Sequence, residues 1–351
     1  MGVNNMVNIM QGYKPFGGPS AWTRKDYQNN EDWVVHLTRD EADELLVACE
    51  QVRRNGLKAF EFTKNEFPLP KLSKTLDTVL EELENGRGFC MVRGIPLGEL
   101  PDNDDDTLYA LYWGLGEHLG FSITQNRRGQ RIVEVTDSGD QYTPNVRGYS
   151  TTARLFPHSD ASDVVGLLCV HPAKKGGESC IASGIAIHDH LVEACPKYLD
   201  VLYRGFKHSM RGEGVNGDLN EVTHNVIPVF SLFEGTLSCH MNRRLIVEGA
   251  DKMGVALSNL ELEAIDTVND RALDEQFRFD MDFRRGDLQL LNNHIIVHSR
   301  QSFEDHDEPN KKRRLLRLWK TVPNGRPLAP EYADRTNGGP RGGMRVAPEF
   351  L

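Results

Sequence analysis

The first third of the chain repeats its apolar positions with the spacing of amphipathic helices. A helix is predicted to begin at Thr38, because Thr38 and Glu41 form a capping box, and to end at Gly56. Two more helices are expected near residues 73–84 and 105–119. The acidic run before the third helix indicates a solvated helix start rather than a calcium loop, since the glycine and terminal glutamate of an EF-hand are absent.

A buried strand is expected at 88–96, and a series of short runs with strand composition follows later in the chain. Two helices interrupt this series, near 184–205 and 258–273. Turns typical of hairpins occur at 233–235 and 284–287. The later expected strands are 131–135, 164–170, 226–230, 236–240, 277–283, 288–297 and 315–322. Helices followed by about eight strands predict an α+β fold with a β-sandwich or barrel core.

Composition and charge narrow the class of partner. The 351 residues carry a formal net charge of −10, and an acidic surface repels phosphate backbones, so nucleic-acid binding is disfavoured. No apolar run approaches the roughly 20 residues that span a bilayer, and no signal peptide is visible. The six cysteines form no CxxC pair and mostly lie in apolar runs, which favours reduced, buried thiols. We therefore expect a cytoplasmic protein with a small-molecule partner and no membrane contact, and leave its oligomeric state open, a homo-oligomer included.

Histidine–x–acid triplets provide the first candidate chemistry. The 12 histidines and 51 acidic residues predict roughly two such triplets by chance, and two occur. His158 and Asp160 lie immediately before a buried strand, where a loop can direct both side chains into a cavity. His306 and Glu308 lie in a polar turn, where a solvated histidine is expected. Context therefore favours the first triplet as part of a site.

Metal chemistry needs a third ligand, and the candidate is His298 at the end of a predicted strand. The two-residue period of a strand places His294, Ile296 and His298 on one face. Two histidines and one carboxylate, with open coordination positions, form the facial triad of non-haem Fe(II) oxygenases. The alternative for His298 is a core histidine that is hydrogen-bonded to the backbone.

Two arginines lie on one face of the last predicted strand. Arg313 and Arg317 flank Leu315 in an otherwise apolar run, and buried arginines need an anion or strong pairing. A dicarboxylate beside the metal would provide that anion through two-point contacts. Salt bridges to aspartate or glutamate are the alternative.

Four motifs resemble, in their order and spacing, those of the TauD/TfdA (taurine dioxygenase-like) family of Fe(II)- and 2-oxoglutarate-dependent oxygenases. They are PHSD at 157–160, GGES at 176–179, NNHIIVHSR at 292–300 and RRLLRLW at 313–319. The resemblance covers about 88–325 and continues more weakly into the N-terminal helices. It implies a double-stranded β-helix, or jelly-roll, core flanked by helices.

The resemblance also implies roles for individual residues. Those implied to bind Fe(II) are His158, Asp160 and His298. Arg313 would hold the distal carboxylate of 2-oxoglutarate, with Ser179 beside it at a position where the family commonly has threonine. Arg317 would lie near the co-substrate or a substrate anion. The implied reaction consumes O2 and 2-oxoglutarate and releases succinate and CO2.

The substrate is less visible in the sequence. Gln125 and Asn126 lie in a stretch that enters the cavity region in related proteins, although capping of the backbone by their amides is an alternative. Arg243 and Arg244 are further candidates, with pairing to acidic surface groups as the alternative. By analogy with the family we expect oxidation of a small carboxylate or amino-acid-like metabolite. Desaturation or oxidative ring closure, a zinc hydrolase and a non-catalytic jelly-roll binding protein remain alternatives.

The chain is predicted to form a single TauD/TfdA-like domain over residues 1–351. Within it we expect a polar arm at 1–30 and N-terminal helices at 31–87. A jelly-roll core with helical insertions should occupy 88–325. The remaining residues, 326–351, are expected to form a C-terminal tail.

Overall fold

The computed structural model of the chain describes residues 12–100, 104–137, 139 and 150–351. Its helices are α1 (Arg39–Arg54), α2 (Leu72–Glu84), α3 (Asp105–Glu117), α4 (Gly184–Ala194), α5 (Leu199–Arg204), α6 (Arg243–Lys252), α7 (Asn259–Leu273) and α8 (Pro330–Ala333). Its strands are β1 (Val34–His36), β2 (Phe89–Arg93), β3 (Phe121–Ser122), β4 (Ile132–Thr136), β5 (Leu155–His158), β6 (Val164–His171), β7 (Lys175–Gly176), β8 (Ser179–Ser183), β9 (Phe230–Phe233), β10 (Thr236–Cys239), β11 (Phe279–Met281), β12 (Leu288–Asn292), β13 (Ile296–Arg300), β14 (Phe303–Glu304) and β15 (Arg314–Thr321).

The N-terminal helices begin and end where local chemistry predicts. Thr38 Oγ1 accepts a hydrogen bond from the backbone N–H of Glu41, and the Glu41 carboxylate accepts from the N–H of Thr38 at 2.8 Å. Gly56 follows α1 with a φ of +68°, a conformation that glycine adopts without strain. Asp104 caps α3 through the N–H of Thr107 at 3.0 Å, which fits a helix start. Asp102 of the same acidic run lies outside the described residues.

Two sheets form the jelly-roll core, which confirms the predicted fold class. The larger sheet has the order β1-β2-β12-β6-β15-β3, with β4 also paired to β15, and the smaller has the order β11-β8-β13-β5. One apolar cluster joins the larger sheet to α1, α2 and α3. A second cluster joins the smaller sheet to α4, α5 and α7. The helices therefore cover the outer faces of the sheets, and the inner faces are left to form a cavity.

The predicted strand 288–297 is wrong in one important respect. It is two strands, because the chain turns at Asn293–Ile295 and crosses from the larger sheet (β12) to the smaller one (β13). Asn292 makes this turn, since its Oδ1 accepts from the N–H of His294 at 2.9 Å. His294 therefore does not share a strand face with His298. Its Nε2 instead contacts Asp163 Oδ1 at 2.8 Å inside the core.

Other differences also arise from long-range packing. The turn at 284–287 is no hairpin, because it joins β11 in the smaller sheet to β12 in the larger one. The strand expected at 226–230 lies at Phe230–Phe233, while the hairpin turn at 233–235 is confirmed between β9 and β10. Helix α6 was not predicted, although Asn242 caps it through the N–H of Leu245 at 3.1 Å.

Both ends of the described chain pack against the core. Near the N-terminus, the ring of Trp22 lies 5.0 Å from that of Phe89. In the segment predicted as a tail, the N–H of Met344 donates to the carbonyl of Thr124 at 3.0 Å. Arg341 Nη1 donates to the buried Asp163 at 2.7 Å. The C-terminal segment thus forms part of the folded unit, and the single-domain boundaries stay a prediction.

The described residues bear only partly on compartment and partners. Among them, no helix is both long enough and apolar enough to cross a bilayer. All six cysteines are free, and five of them are buried, in line with the prediction of reduced thiols. Cytoplasmic location, oligomeric state and the absence of nucleic-acid binding stay predictions.

Candidate active site

Strand pairing in the smaller sheet brings the three predicted metal ligands together. His158 on β5 lies directly opposite His298 on β13, and their ring centroids are 4.4 Å apart. Asp160 follows β5 by two residues, and its Oδ2 lies 3.9 Å from Nε2 of His298. One ligand atom from each of the three residues lies within 4.8 Å of the other two, so the group could hold a single metal ion.

The His158 ring is oriented by its own strand. Nδ1 lies 2.9 Å from the carbonyl oxygen of Phe156. Because a carbonyl only accepts hydrogen bonds, Nδ1 must carry the proton, and Nε2 of the neutral ring is left free to bind a metal. This arrangement is typical of metal-binding histidines.

Asp160 is held by hydrogen bonds from two elements of the core. Its N–H donates to Asn293 Oδ1 at 3.1 Å, and Trp319 Nε1 donates to its Oδ2 at 3.0 Å. Arg317 Nη1 lies 3.4 Å from the same oxygen. Burial alone raises the pKa of this carboxyl, but Arg317 and the two histidines outweigh burial and lower the pKa of Asp160 to about 2. Asp160 is therefore an ionised carboxylate at neutral pH.

His298 is buried, and burial is the main reason that its pKa falls to about 3. Its ring is therefore neutral at pH 7, the form that coordinates metals. In the described part of the chain, its Nδ1 has no hydrogen-bond partner. Two imidazoles and one carboxylate, without further protein ligands, form the donor set expected for non-haem Fe(II).

A second buried feature is a pair of arginines on the inner faces of the two sheets. The guanidinium carbons of Arg313 and Arg300 lie 5.0 and 4.8 Å from the ring centroid of Phe303. Burial lowers the pKa of Arg313 to about 10 and, with the charge of Arg313, that of Arg300 to about 9. Arg313 Nη1 and two nitrogens of Arg300 have no hydrogen-bond partner among the described residues. Such groups indicate a site for an anion with several oxygens.

The GGES motif forms the turn beside these arginines. Gly176 has a φ of +75°, and a Cβ there would lie 2.4 Å from the carbonyl oxygen of Ser302, so only glycine fits. Ser179 lines the cavity near Arg313, and its Oγ donates to Gln289 Oε1 at 3.0 Å. This position is compatible with the predicted role beside 2-oxoglutarate, which stays a prediction.

Gln125 and Asn126 do not line the cavity that the described residues enclose. The Gln125 amide is fully engaged, since its Nε2 donates to the carbonyls of Arg131 and Arg317 and its Oε1 accepts from Arg317 Nε at 2.7 Å. Asn126 Oδ1 accepts from the N–H of Arg128 at 3.0 Å, which is the backbone capping considered as an alternative. Their contact with substrate stays a prediction, while Gln125 clearly positions Arg317.

The cavity between the sheets has a volume of about 680 Å³. Arg243 and Arg244 line it from α6, and both are paired with acids as the alternative interpretation expected. Arg243 Nε contacts Asp266, and Arg244 Nε donates to Glu248 at 2.8 Å. A cavity of this size accommodates a small molecule together with a co-substrate.

Several residues of the cavity were missed from the sequence. Arg300 could have been found, because it follows His298 by two positions and so shares its strand face. Three others carry no local pattern that marks them. They are His208, His240 and Arg335.

Comparison with known proteins places this geometry in a family. The family described as "Taurine catabolism dioxygenase TauD, TfdA family" matches residues 53–319. The chain belongs to this family. It is 32% identical over 326 residues to FR-33289 synthase of Streptomyces rubellomurinus, which covers 92% of this chain and 94% of that protein. It is also 25% identical over 316 residues to the taurine hydroxylase-like protein SAT17 of Stachybotrys chartarum, covering 85% and 77%.

Solved structures with the same fold belong to iron oxygenases. Asparagine oxygenase with Fe(II), hydroxyasparagine and succinate superposes with a TM-score of 0.65 at 14% identity, covering 82% of this chain and 93% of that one. The non-haem iron oxygenase OrfP with Fe and α-ketoglutaric acid gives 0.57 at 14% identity, covering 82% and 93%. At this identity the likeness shows the fold alone. Together with the family match, the predicted family, enzyme class and cofactors are confirmed.

Proposed function

We propose that this TauD/TfdA-family dioxygenase oxidises an unactivated C–H bond of a small carboxylate or amino-acid-like metabolite. The observation that carries the proposal is one cavity that contains both the His158–Asp160–His298 group and a buried, acid-free Arg313. The three residues would bind Fe(II), and Arg313 would bind the distal carboxylate of 2-oxoglutarate. When bound, iron and 2-oxoglutarate supply an oxidant from O2 and leave succinate and CO2.

The protein residues position the reactants and exclude water. The carbonyl of Phe156 fixes the His158 ring, while Trp319 and Arg317 hold the Asp160 carboxylate in its ionised form. The cavity wall beside Arg313 is apolar, and a low-dielectric wall strengthens the contact between a guanidinium and a carboxylate. The apolar side chains of this wall are Val135, Leu167, Phe283 and Leu315.

The substrate class rests on analogy and charge. Asparagine oxygenase and OrfP are solved with hydroxylated amino acids, and a third relative is a uridine-5'-phosphate dioxygenase of Streptomyces. These names describe those proteins, and we extend to this chain only the general class of small polar substrates. A zinc hydrolase would not need a buried anion site at Arg313.

An anaerobic titration with Fe(II) and 2-oxoglutarate, followed by an O2-dependent substrate screen, tests the proposal. We expect a visible absorption band that needs both additions, and succinate formation that needs the substrate. Mass spectrometry of the product then separates gain of one oxygen atom from loss of hydrogen by desaturation or ring closure. A protein that binds Fe(II) without any effect of 2-oxoglutarate would contradict the proposal.

A further inference from the structure

The cavity has a second polar end that the iron site does not use. Arg313 lies at the start of β15, whereas Arg335 donates to the carbonyl of Ser162 at 3.3 Å. The residue after Ser162, Asp163, accepts from the N–H of Val322, just past the end of β15. Arg313 and Arg335 therefore lie at opposite ends of β15. Asp160 lies between them, beside Arg317.

Two histidines line this second end. The His208 and His240 rings are stacked, with centroids 5.4 Å apart and planes 22° from parallel. Both are more than nine-tenths buried, and neither His208 Nε2 nor His240 Nδ1 has a hydrogen-bond partner among the described residues. Burial lowers the pKa of His208 to about 4 and that of His240 well below 6.5, so both rings are neutral at pH 7. Each then offers one N–H donor, and buried donors without partners are rare.

Arg335 supplies a positive charge beside the histidines. Its guanidinium donates to the carbonyls of Tyr332 and Ser162, while its Nε has no partner in the described part of the chain. Asp163, whose charge acts on Arg335, is already engaged by His294 and Arg341. Arg335 is thus held by carbonyls and forms no direct salt bridge with a described carboxylate.

Other arginines of the cavity are better neutralised. Arg211 and Arg244 both donate to Glu248 at 2.8 Å, and Arg317 contacts both Gln125 and the carboxylate of Asp160. Arg335 is therefore the stronger candidate for binding a substrate anion at this end of the cavity.

The charge of the whole cavity supports an anionic ligand. Seven arginines and three carboxylates line it, which leaves four positive charges in a chain with a net charge of −10. Such a concentration of one sign in a concave site attracts ions of the opposite sign. Two negative charges of 2-oxoglutarate would not neutralise it, particularly with Fe(II) bound.

We propose that Arg335, His208 and His240 bind an oxyanion of the substrate, a carboxylate, sulfonate or phosphate group, at the end remote from the carbon that is oxidised. This inference rests on the proposed function, because it assigns the substrate of the same cavity. Arg335 provides the charge, and the two neutral imidazoles provide directed hydrogen bonds. Arg335 lies beyond residues 53–319, so the family match does not account for this contact.

Four two-carbon amines that differ only in their second group provide the test. Ethanolamine has no anion, β-alanine a carboxylate, taurine a sulfonate and O-phosphoethanolamine a phosphate. Each is titrated into the anaerobic Fe(II)–2-oxoglutarate enzyme, and binding is followed by calorimetry and by the change in visible absorption. We expect at least one anionic probe, but not ethanolamine, to bind at millimolar concentration, and the preferred probe identifies the oxyanion.

Variants locate the contact. Arg335→Met should weaken the preferred probe about 10- to 100-fold, and His208→Phe or His240→Phe, which keep the ring, about 3- to 10-fold. Arg326→Met is the matched control, since Arg326 is a buried arginine of the same C-terminal segment that donates to the carbonyls of Leu237 and Glu84 and does not line the cavity. It should leave probe affinity unchanged.

Each remaining outcome decides against the subsite or against the function. No binding of any anionic probe, equal binding by wild type and Arg335→Met, or an equal loss in Arg326→Met would each overturn the subsite. If Arg335→Met does not fold, the two histidine variants decide, and wild-type affinity in both overturns it. Loss of the absorption band already in the wild type would instead refute the proposed function. An intact band with unchanged probe affinity refutes only the subsite.

Discussion

The two histidine–x–acid triplets share a sequence pattern but not an environment. His158 lies on β5, where pairing with β13 places His298 directly opposite and the following loop turns Asp160 inward. His306 lies in the loop after β14, and Glu308 is exposed and paired with Lys311 at 3.0 Å. The comparison teaches that such a triplet becomes a candidate site only where a neighbouring strand supplies the third ligand.

Two adjacent arginines repeat this lesson on β15. Arg313 faces the cavity and has no salt bridge among the described residues, while Arg314 points to the other face and contacts Asp105 at 2.7 Å and Glu134 at 2.6 Å. Successive strand residues alternate faces, so one position decides between an anion site and a surface ion pair.

The largest expected effect is on the buried triplet. His158→Ala and His298→Ala should each lower iron affinity by more than about 100-fold and abolish turnover, since even loss of an outer partner of a metal ligand lowers affinity about 10- to 100-fold. Anaerobic iron titration measures the affinity, and circular dichroism checks that the sheets remain. Full activity with stoichiometric iron in either variant would show that the ligand assignment is wrong.

The two arginines should differ almost as strongly. Arg313→Lys keeps the charge but loses the planar fork, so 2-oxoglutarate should bind roughly 30- to 1000-fold more weakly, a change of about 2–4 kcal/mol. Arg314→Lys is the matched control and should change that affinity less than about 2-fold, because this partly exposed arginine faces away from the cavity. Equal 2-oxoglutarate affinities in the two variants would contradict the role of Arg313.

Acid should destabilise the metal-free protein through buried neutral histidines. Burial lowers the pKa of His208 from 6.5 to about 4, so between these values the unfolded chain binds a proton that the folded chain does not. Its contribution is complete above pH 6.5 and is lost as the pH falls toward 4, by roughly 3 kcal/mol in the free energy of unfolding. Urea unfolding across this range should show a smaller loss in His208→Phe, and an identical pH slope in both proteins would refute the assignment.

The smallest effect is expected at the second triplet. His306→Ala removes a partly exposed side chain outside the metal group, so iron affinity and turnover should change by less than about 2-fold. The same iron titration used for His158→Ala measures this. A large loss of iron affinity would mean that the wrong triplet was chosen.

Much of the fold could be predicted because its signals are local. The capping box at Thr38, the positive-φ glycine at position 56 and the hairpin turn at 233–235 depend on neighbouring residues, and the structure contains all three. The break at Asn293 could not be predicted in this way. An apolar run has the same period whether it stays in one sheet or crosses to another, and only pairing with different neighbours reveals the crossover.

The candidate site divides along the same line. By itself, the sequence determined the family, the cofactors and the residues that share a motif, because those residues occur in short segments with fixed spacing. Tertiary structure alone decided that His208, His240 and Arg335 line one end of the cavity, since they come from the segment after α5, from the end of β10 and from the C-terminal segment. No local pattern connects three such distant segments, and only the closing of the two sheets and the packing of the C-terminal segment bring them together.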